Sequence, residues 1–375
     1  VQAAVGWLGR PRESGRRRRP RGRVAGAAGA PGARLPAPGA PDDAARPPWW
    51  RGAALAAAGL AGLLAGTTLL GDAGMVWRVV LALAGAWSLY RAYRSLAATL
   101  RGPAWPASYW LSVTWLAVVG VGALLAPVLP LAEPSNASKT LDVMPLLRPD
   151  LGSGHPLGTN AYGLDLFGRL LEGARVSLVV SIGGVVLGLV VGGLIGLLAG
   201  YFRGPLDSVV RVVADTVLAF PPLIFLLAIA SVAPRTTFTF VVAFGFLLTP
   251  INIRLARGNT LAVTQREFVL AAESLGASTR RIVFRELLPN VVLPSISYGL
   301  VLIPLMIVTE AALSFLGLGI PPPRASWGNM IAEGRAGASI DNPHLVLVPG
   351  CMLILTVLAL NMVANRWRHG KAGDR

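Results

Sequence analysis

The chain alternates long apolar runs with short connectors that carry most of its arginines. Runs with few or no charges lie at about 52–70, 75–90, 109–131, 175–200, 212–232, 238–256, 291–312 and 345–364. Each approaches the ~20 residues that an α-helix needs to cross a hydrocarbon core of about 30 Å. Lipid offers no partner to backbone N–H and C=O groups, so such runs predict helices. The pattern reads as an all-α integral membrane protein with a core of six helices, preceded by an extra helical hairpin at 51–94. Gly71-Asp72-Ala73-Gly74 supplies the hairpin turn. A cleavable signal peptide suits 52–70 less well, because the run exceeds about 7 to 15 residues and a second follows at once. Arg78 interrupts the second hairpin helix, where a long side chain near a helix end snorkels to the interface.

Composition supports this pattern. Apolar residues make up 54% of the 375 and charged residues 14%, against roughly 25% charged in soluble domains; mean hydropathy is +0.60. The formal charge of +16 would suggest nucleic acid if it formed one basic surface. It is instead split between Arg16 to Arg19, Arg21 and Arg23 near the start and short segments between apolar runs, which excludes nucleic acid as the expected partner. Residues 1–50 are rich in Ala, Gly, Pro and Arg without apolar periodicity, and are expected to form a disordered basic tail. The first residue is Val, and Lys139 and Lys371 are the only lysines among the basic residues, so a start-site artefact in this stretch is a second expectation.

The positions of the arginines set an expected topology. Arg51 precedes the hairpin and Arg91, Arg94 and Arg101 follow it; Arg254, Arg257, Arg266, Arg280, Arg281 and Arg285 lie together between the fourth and fifth core helices; Arg366, Arg368 and Lys371 close the chain. Basic loops stay in the cytoplasm. Both termini are therefore expected inside, in a multi-pass membrane protein, with 132–174 and 314–343 outside.

Chemistry-bearing residues are sparse. Cys351 is the single cysteine, which excludes an intrachain disulfide and suggests a small buried side chain in an apolar run. His155, His344 and His369 lack metal-ligand spacing, and no cofactor or metal is expected. Gly183-Gly184, Gly188, Gly192-Gly193 and Gly196 recur about every four residues, a small-residue face for close helix packing.

The segment Arg266 to Asn290 is amphipathic. Val269, Ala272 and Leu275 or Gly276 fall at helical spacing, Gly276 is a left-handed stop, and Ser278 caps a second short helix. Small Ala271 and Ala272 permit close approach by another protein, and Phe268, Ile282 and Phe284 offer apolar anchors. Pro289 marks the hand-over to the next span.

This segment resembles the EAA loop of ABC importer permeases: Glu-Ala-Ala, three residues, Gly, nine residues, Ile, one residue, Leu-Pro. Ala271, Ala272, Gly276, Leu288 and Pro289 match, while Leu270 stands at the Glu position and Glu286 at the Ile position. Three more stretches are similar to the dipeptide/oligopeptide/nickel branch, the DppC/OppC type. They are His155 to Asn160 continuing to Leu178; Asp215 with Leu218 to Pro221; and Thr309 to Gly319 continuing through Pro321-Pro322-Pro323 to Gly328. The family commonly has Asp at Asn160 and Arg-Asp at Leu164-Asp165. The resemblance covers about 105–370. It implies a permease core at 105–368 with a coupling loop at 257–290, half of a translocation path completed by a second permease, two cytoplasmic ATPases docked on the loops, and an extracytoplasmic solute-binding protein. ATP hydrolysis is then a partner's task, in keeping with the absence of a Gly-rich phosphate loop around Lys139 or Lys371. The expected cargo is a di- or oligopeptide or a related solute, a nickel chelate among them.

Asp215 and Glu310 fall near span ends in apolar sequence, so each needs a partner. Lining the path is one reading; pairing with Arg211, Arg254 or a backbone donor is the other. Trp327-Gly328-Asn329, after the stiff Pro321-Pro322-Pro323, either folds back toward the path, meets the binding protein, or anchors at the interface. A secondary solute transporter is the rival function, and a membrane-embedded enzyme is disfavoured because no paired carboxylates or zinc motif appear at a membrane face.

Overall fold

The computed structural model describes residues 49–64, 75–101, 106–129, 131–150, 154–336 and 342–370. The expected basic tail, apart from its last two residues, and the Gly71–Gly74 turn lie outside the described residues. Among those described the regular structure is helical, with two isolated β-bridges, Asp150 with His155 and Thr159 with Asp165.

The helices are α1 (Trp49–Leu64), α2 (Met75–Arg101), α3 (Ala107–Leu125), α4 (Leu166–Phe202), α5 (Gly204–Leu218), α6 (Pro222–Val232), α7 (Thr237–Val263), α8 (Glu267–Ser274), α9 (Thr279–Arg281), α10 (Leu288–Phe315), α11 (Trp327–Ala336) and α12 (His344–Gly370). α3, α4, α7, α10 with its α9 lead-in, and α12 are long and apolar enough to cross a membrane, and α5 with α6 makes a sixth, bent candidate. The helices α1 and α2 pack together closely. A Cβ on Gly59 would stand 2.9 Å from the Gly85 carbonyl oxygen, and neither helix is among those that meet the spanning criterion.

Three expected boundaries change. The span expected at 175–200 is the 37-residue α4, which begins at Leu166. Asp165 caps it, its Oδ2 accepting from the Gly168 N–H at 2.7 Å, which satisfies an orphan donor of the first turn. The span expected at 212–232 is two helices that meet at 82°. Pro221 and Pro222 mark the corner, since proline lacks the N–H that would continue the helical ladder. The second helix expected in the cytoplasmic insert is continuous with the next span: α9 passes through a π-helical stretch, Ile282–Leu287, into α10.

The core forms where α4 and α7 cross. A Cβ on Gly184 would lie 2.5 Å from the Phe244 Cβ, on Gly188 2.8 Å from the Leu248 Cβ, on Gly192 2.4 Å from the Thr249 carbonyl oxygen, and on Gly196 2.5 Å from that of Ile253. Every fourth residue of α4 thus admits the α7 backbone, and Gly200 extends the row against Thr260. Gly193, one position around, has nothing within 4 Å. One apolar cluster joins α4, α6, α7 and α10 through Val180, Val185, Leu226, Phe244 and Met306. A second, around Trp327, joins α3, α4, α10, α11 and α12. Cys351, expected to be buried, is exposed on α12.

Candidate functional site

The insert after α7 is built from local rules. Arg266 starts α8, and Gly276 ends it with φ +73°, a left-handed geometry that costs glycine nothing. The Ala277 N–H reaches back to the Ala272 carbonyl at 3.0 Å and the Gly276 N–H to that of Glu273 at 2.9 Å, the paired bonds of a Schellman stop. Ser278 then accepts from the Arg281 N–H at 3.4 Å.

Only Val269 of α8 is buried. It seats against Leu197 of α4, Ala256 of α7 and Ile282, Val283, Leu287 and Val291. Phe268, Leu270, Leu275 and Phe284 are exposed, Leu275 at 87%. Ala271, Gly276 and Pro289 are also exposed, with Ala272 and Leu288 half-buried. Ile282, expected among the outward anchors, is instead buried beneath the helix. The result is a short helix held by one side chain and presenting an apolar and small-residue surface.

At the other end of α4 a polar hub ties the loops down. Arg169 is buried, and its Nη2 donates to both oxygens of Glu333 at 2.8 Å. Its Nη1 donates to the carbonyls of Pro134 and Pro323 at 3.2 Å each. Asn160 accepts from the N–H groups of Tyr162 and Leu164 at 2.9 Å and donates to Glu333 at 3.3 Å. Asp165 pairs with His155 at 3.0 Å. Asn160, Arg169, Glu333, Met330 and Leu345 line a cavity of about 230 Å³. Glu333 was invisible in the sequence, because its partner lies 164 positions away.

The two carboxylates expected in apolar spans diverge. Glu310 is buried, with Ser177 of α4 donating at 2.8 Å and Ser314 of α10 at 2.7 Å, and Ser326 adds a further side-chain hydrogen bond. None of the expected arginines reaches it. Trp327 is also fully buried, its Nε1 donating to the Leu170 carbonyl at 3.2 Å, so the interfacial-anchor reading gives way to a segment folded back onto α4. Asp215 does pair with Arg254, at 3.2 Å from its Nε, while Asp207 takes both Arg257 and Arg211. Two ion pairs therefore join α5 to α7.

Comparison with known proteins decides the family. Residues 192–369 match the model of the binding-protein-dependent transport system inner membrane component. The glutathione transport system permease protein GsiD of Pectobacterium atrosepticum is 38% identical over 216 residues, 58% of this chain and 71% of the relative. This chain belongs to the peptide permeases of ABC importers. A putative peptide permease protein of Brucella suis is 38% identical over 215 residues, 57% of this chain and 71% of the relative. A putative peptide transport system permease protein of the same organism is 32% identical over 261 residues, 70% and 86%. The permease is thus a multi-pass inner membrane transport component of a binding-protein-dependent system, and its family is not catalytic.

Proposed function

We propose that this permease imports a peptide or a peptide-like solute of the glutathione kind, forming half of a path completed by a second permease, with a nickel chelate as the further candidate cargo. Two cytoplasmic ATPases dock on the coupling segment 257–290 of the pair, through Ala271, Ala272, Gly276, Leu288 and Pro289. An extracytoplasmic binding protein delivers solute to the opposite face, where Pro134, Pro323 and Glu333 are gathered on Arg169. Both termini face the cytoplasm, the hairpin 51–94 is an addition to the core at 105–368, and the chain itself hydrolyses nothing.

One observation carries the reading: an eight-residue helix, closed at Gly276 and seated by Val269 alone, leaves Phe268, Leu270 and Leu275 exposed. Such a surface suits a groove on another protein. Glu310 serves in this reading as an inter-helix tie, holding 316–336 to α4 and α10.

The test is co-purification of the tagged wild-type chain and Gly276→Asp from membranes, with identification of partners and an ATPase assay. Wild type is expected to bring down an ATPase pair and a second permease, and the variant to lose the ATPases. A chain that moves solute alone, without ATP, would sink the proposal.

A further inference from the structure

The apolar run of α2 ends at Tyr90, yet the helix continues to Arg101, about 16 Å further at 1.5 Å per residue. Trp87 and three arginines of the continuation, Arg91, Arg94 and Arg101, recur in steps of four, three and seven, so they share one face. All four are exposed. Gly85 and Ala92, seven apart, lie roughly on the opposite side and are buried. That side meets α1: a Cβ on Gly52 would stand 3.6 Å from the Ala92 carbonyl oxygen and from the Leu96 nitrogen. The contact sets Arg51, also exposed, beside the same stretch at the open end of the hairpin.

Little balances these charges. Asp72 is the single carboxylate between Trp49 and Arg101, and it falls in the segment that joins the two helices. Among the described residues no ion pair engages Arg51, Arg91 or Arg94. Like charges gathered on one helix face repel one another, and an anionic partner relieves that repulsion.

A second observation says which kind of anion. Tyr93, Leu96 and Leu100 form another exposed strip of the same continuation, Leu96 at 48% and Leu100 at 73%. A soluble anion would satisfy the arginines and leave these leucines in water. A bilayer surface satisfies both, since an amphipathic helix lies with its apolar strip among the acyl chains and its basic strip among the headgroups. Aromatic rings favour the same boundary. Trp87 and Tyr90 stand with ring centroids 5.8 Å apart, and the Arg51 guanidinium lies 5.6 Å from the centroid of Trp50.

We infer that the open end of the hairpin, Arg51, Arg91 and Arg94 with Trp87, Leu96 and Leu100, is a binding surface for anionic phospholipid. The guanidinium forks take the headgroup phosphodiesters, and the leucines enter the acyl layer. The surface belongs to the hairpin alone, so it stands whatever the cargo is, and it makes the added segment responsive to the charge of the membrane. Attraction of this kind is worth about fivefold in association per basic residue near an anionic surface and weakens as salt rises.

The test uses the full-length chain in phosphatidylcholine vesicles that carry a trace of photoactivatable phosphatidylglycerol, or the same probe on phosphatidylcholine. Cross-links within 84–101 are quantified by peptide mass spectrometry. The wild type is expected to capture the anionic probe at least about tenfold more than the zwitterionic one. Arg91→Gln with Arg94→Gln is expected to remove most of that preference, and Arg91→Lys with Arg94→Lys to keep most of it. Arg280→Gln with Arg281→Gln, which takes the same charge from the insert after α7, is expected to leave it unchanged. Undiminished preference in the first pair, loss in the lysine pair as deep as in the glutamine pair, or an equal loss in the 280/281 pair would overturn the inference. Excess glycerol phosphate separates a lipid from a soluble anion: it is expected to leave the probe in place, and displacement would equally overturn the inference.

Discussion

Gly192 of α4 touches the backbone of Thr249 of α7: a Cβ at 192 would stand 2.4 Å from the Thr249 carbonyl oxygen. No rotamer relieves that contact, because the obstacle is main chain. Gly192→Ala is expected to cost about 1–3 kcal/mol through overpacking, read as a lower midpoint in detergent thermal unfolding. Gly193→Ala, facing open space, is expected to leave that midpoint unchanged or raise it.

Gly276→Val forces a β-branched residue into φ +73°, at a cost of about 1–2 kcal/mol, and is expected to uncouple ATPase activity from transport while the membrane core stays folded. Gly276→Asn, which tolerates the left-handed region, is expected to keep most of the coupling. Equal loss in both would show that the space beside Gly276, rather than its dihedral angle, is what matters.

Glu333→Leu leaves Arg169 buried without its counter-charge, and breaking a buried pair costs about 3–5 kcal/mol. The double variant Arg169→Met with Glu333→Leu removes both charges and is expected to recover part of that loss, although the carbonyls of Pro134 and Pro323 lose their donor. A double-mutant cycle on unfolding midpoints gives the coupling; strict additivity would mean the pair contributes nothing.

Glu310→Leu is expected to release 316–336 from the core, since Ser177 and Ser314 lose their acceptor at about 1–3 kcal/mol for an unsatisfied buried group. Limited proteolysis of the outer face should then cut within this segment, while Glu310→Gln, which still accepts, should protect it better. Identical cleavage in both and in wild type would remove the tie.

Glu133 provides the pH-dependent contact outside the membrane. Burial pushes its carboxyl up, but the N–H groups of Ser135 and Asn136 and the Lys139 ammonium outweigh this and hold it below the usual glutamate value. A lowered folded pKa gives stability that is present above the unfolded value and lost as pH falls through the folded one. Protease susceptibility of 131–139 is expected to rise only below the ordinary carboxylate range, and Glu133→Gln should flatten the profile.

The sequence showed the helices wherever apolar length was the signal. It also showed the glycine row, because a small residue every fourth position has one physical use in a long helix. It misjudged the start of α4 because Arg169 looks like a loop residue until Glu333, 164 positions on, neutralises it. The 212–232 span read as one helix because hydropathy does not register an 82° corner, although Pro221-Pro222 marked it. Gly276 and Ser278 were legible because caps are local. The partners of Glu310 were not, since Ser177 lies on another helix and hydroxyls carry no charge signal.

The passage from the cytoplasmic insert into α10 has a mechanical meaning. From Thr279 to Phe315 the chain is one helical rod of 37 residues, about 55 Å long, with the wide-turned stretch 282–287 near its inner end and the Glu310 tie near the other. A helix that long is a lever: a rigid tilt of about 5° at one end swings the other by about 5 Å. Motion delivered beside Gly276 therefore reaches the segment bound by Ser177 and Ser314 along one continuous helix, and the π-helical turns at 282–287 are where that helix has room to give.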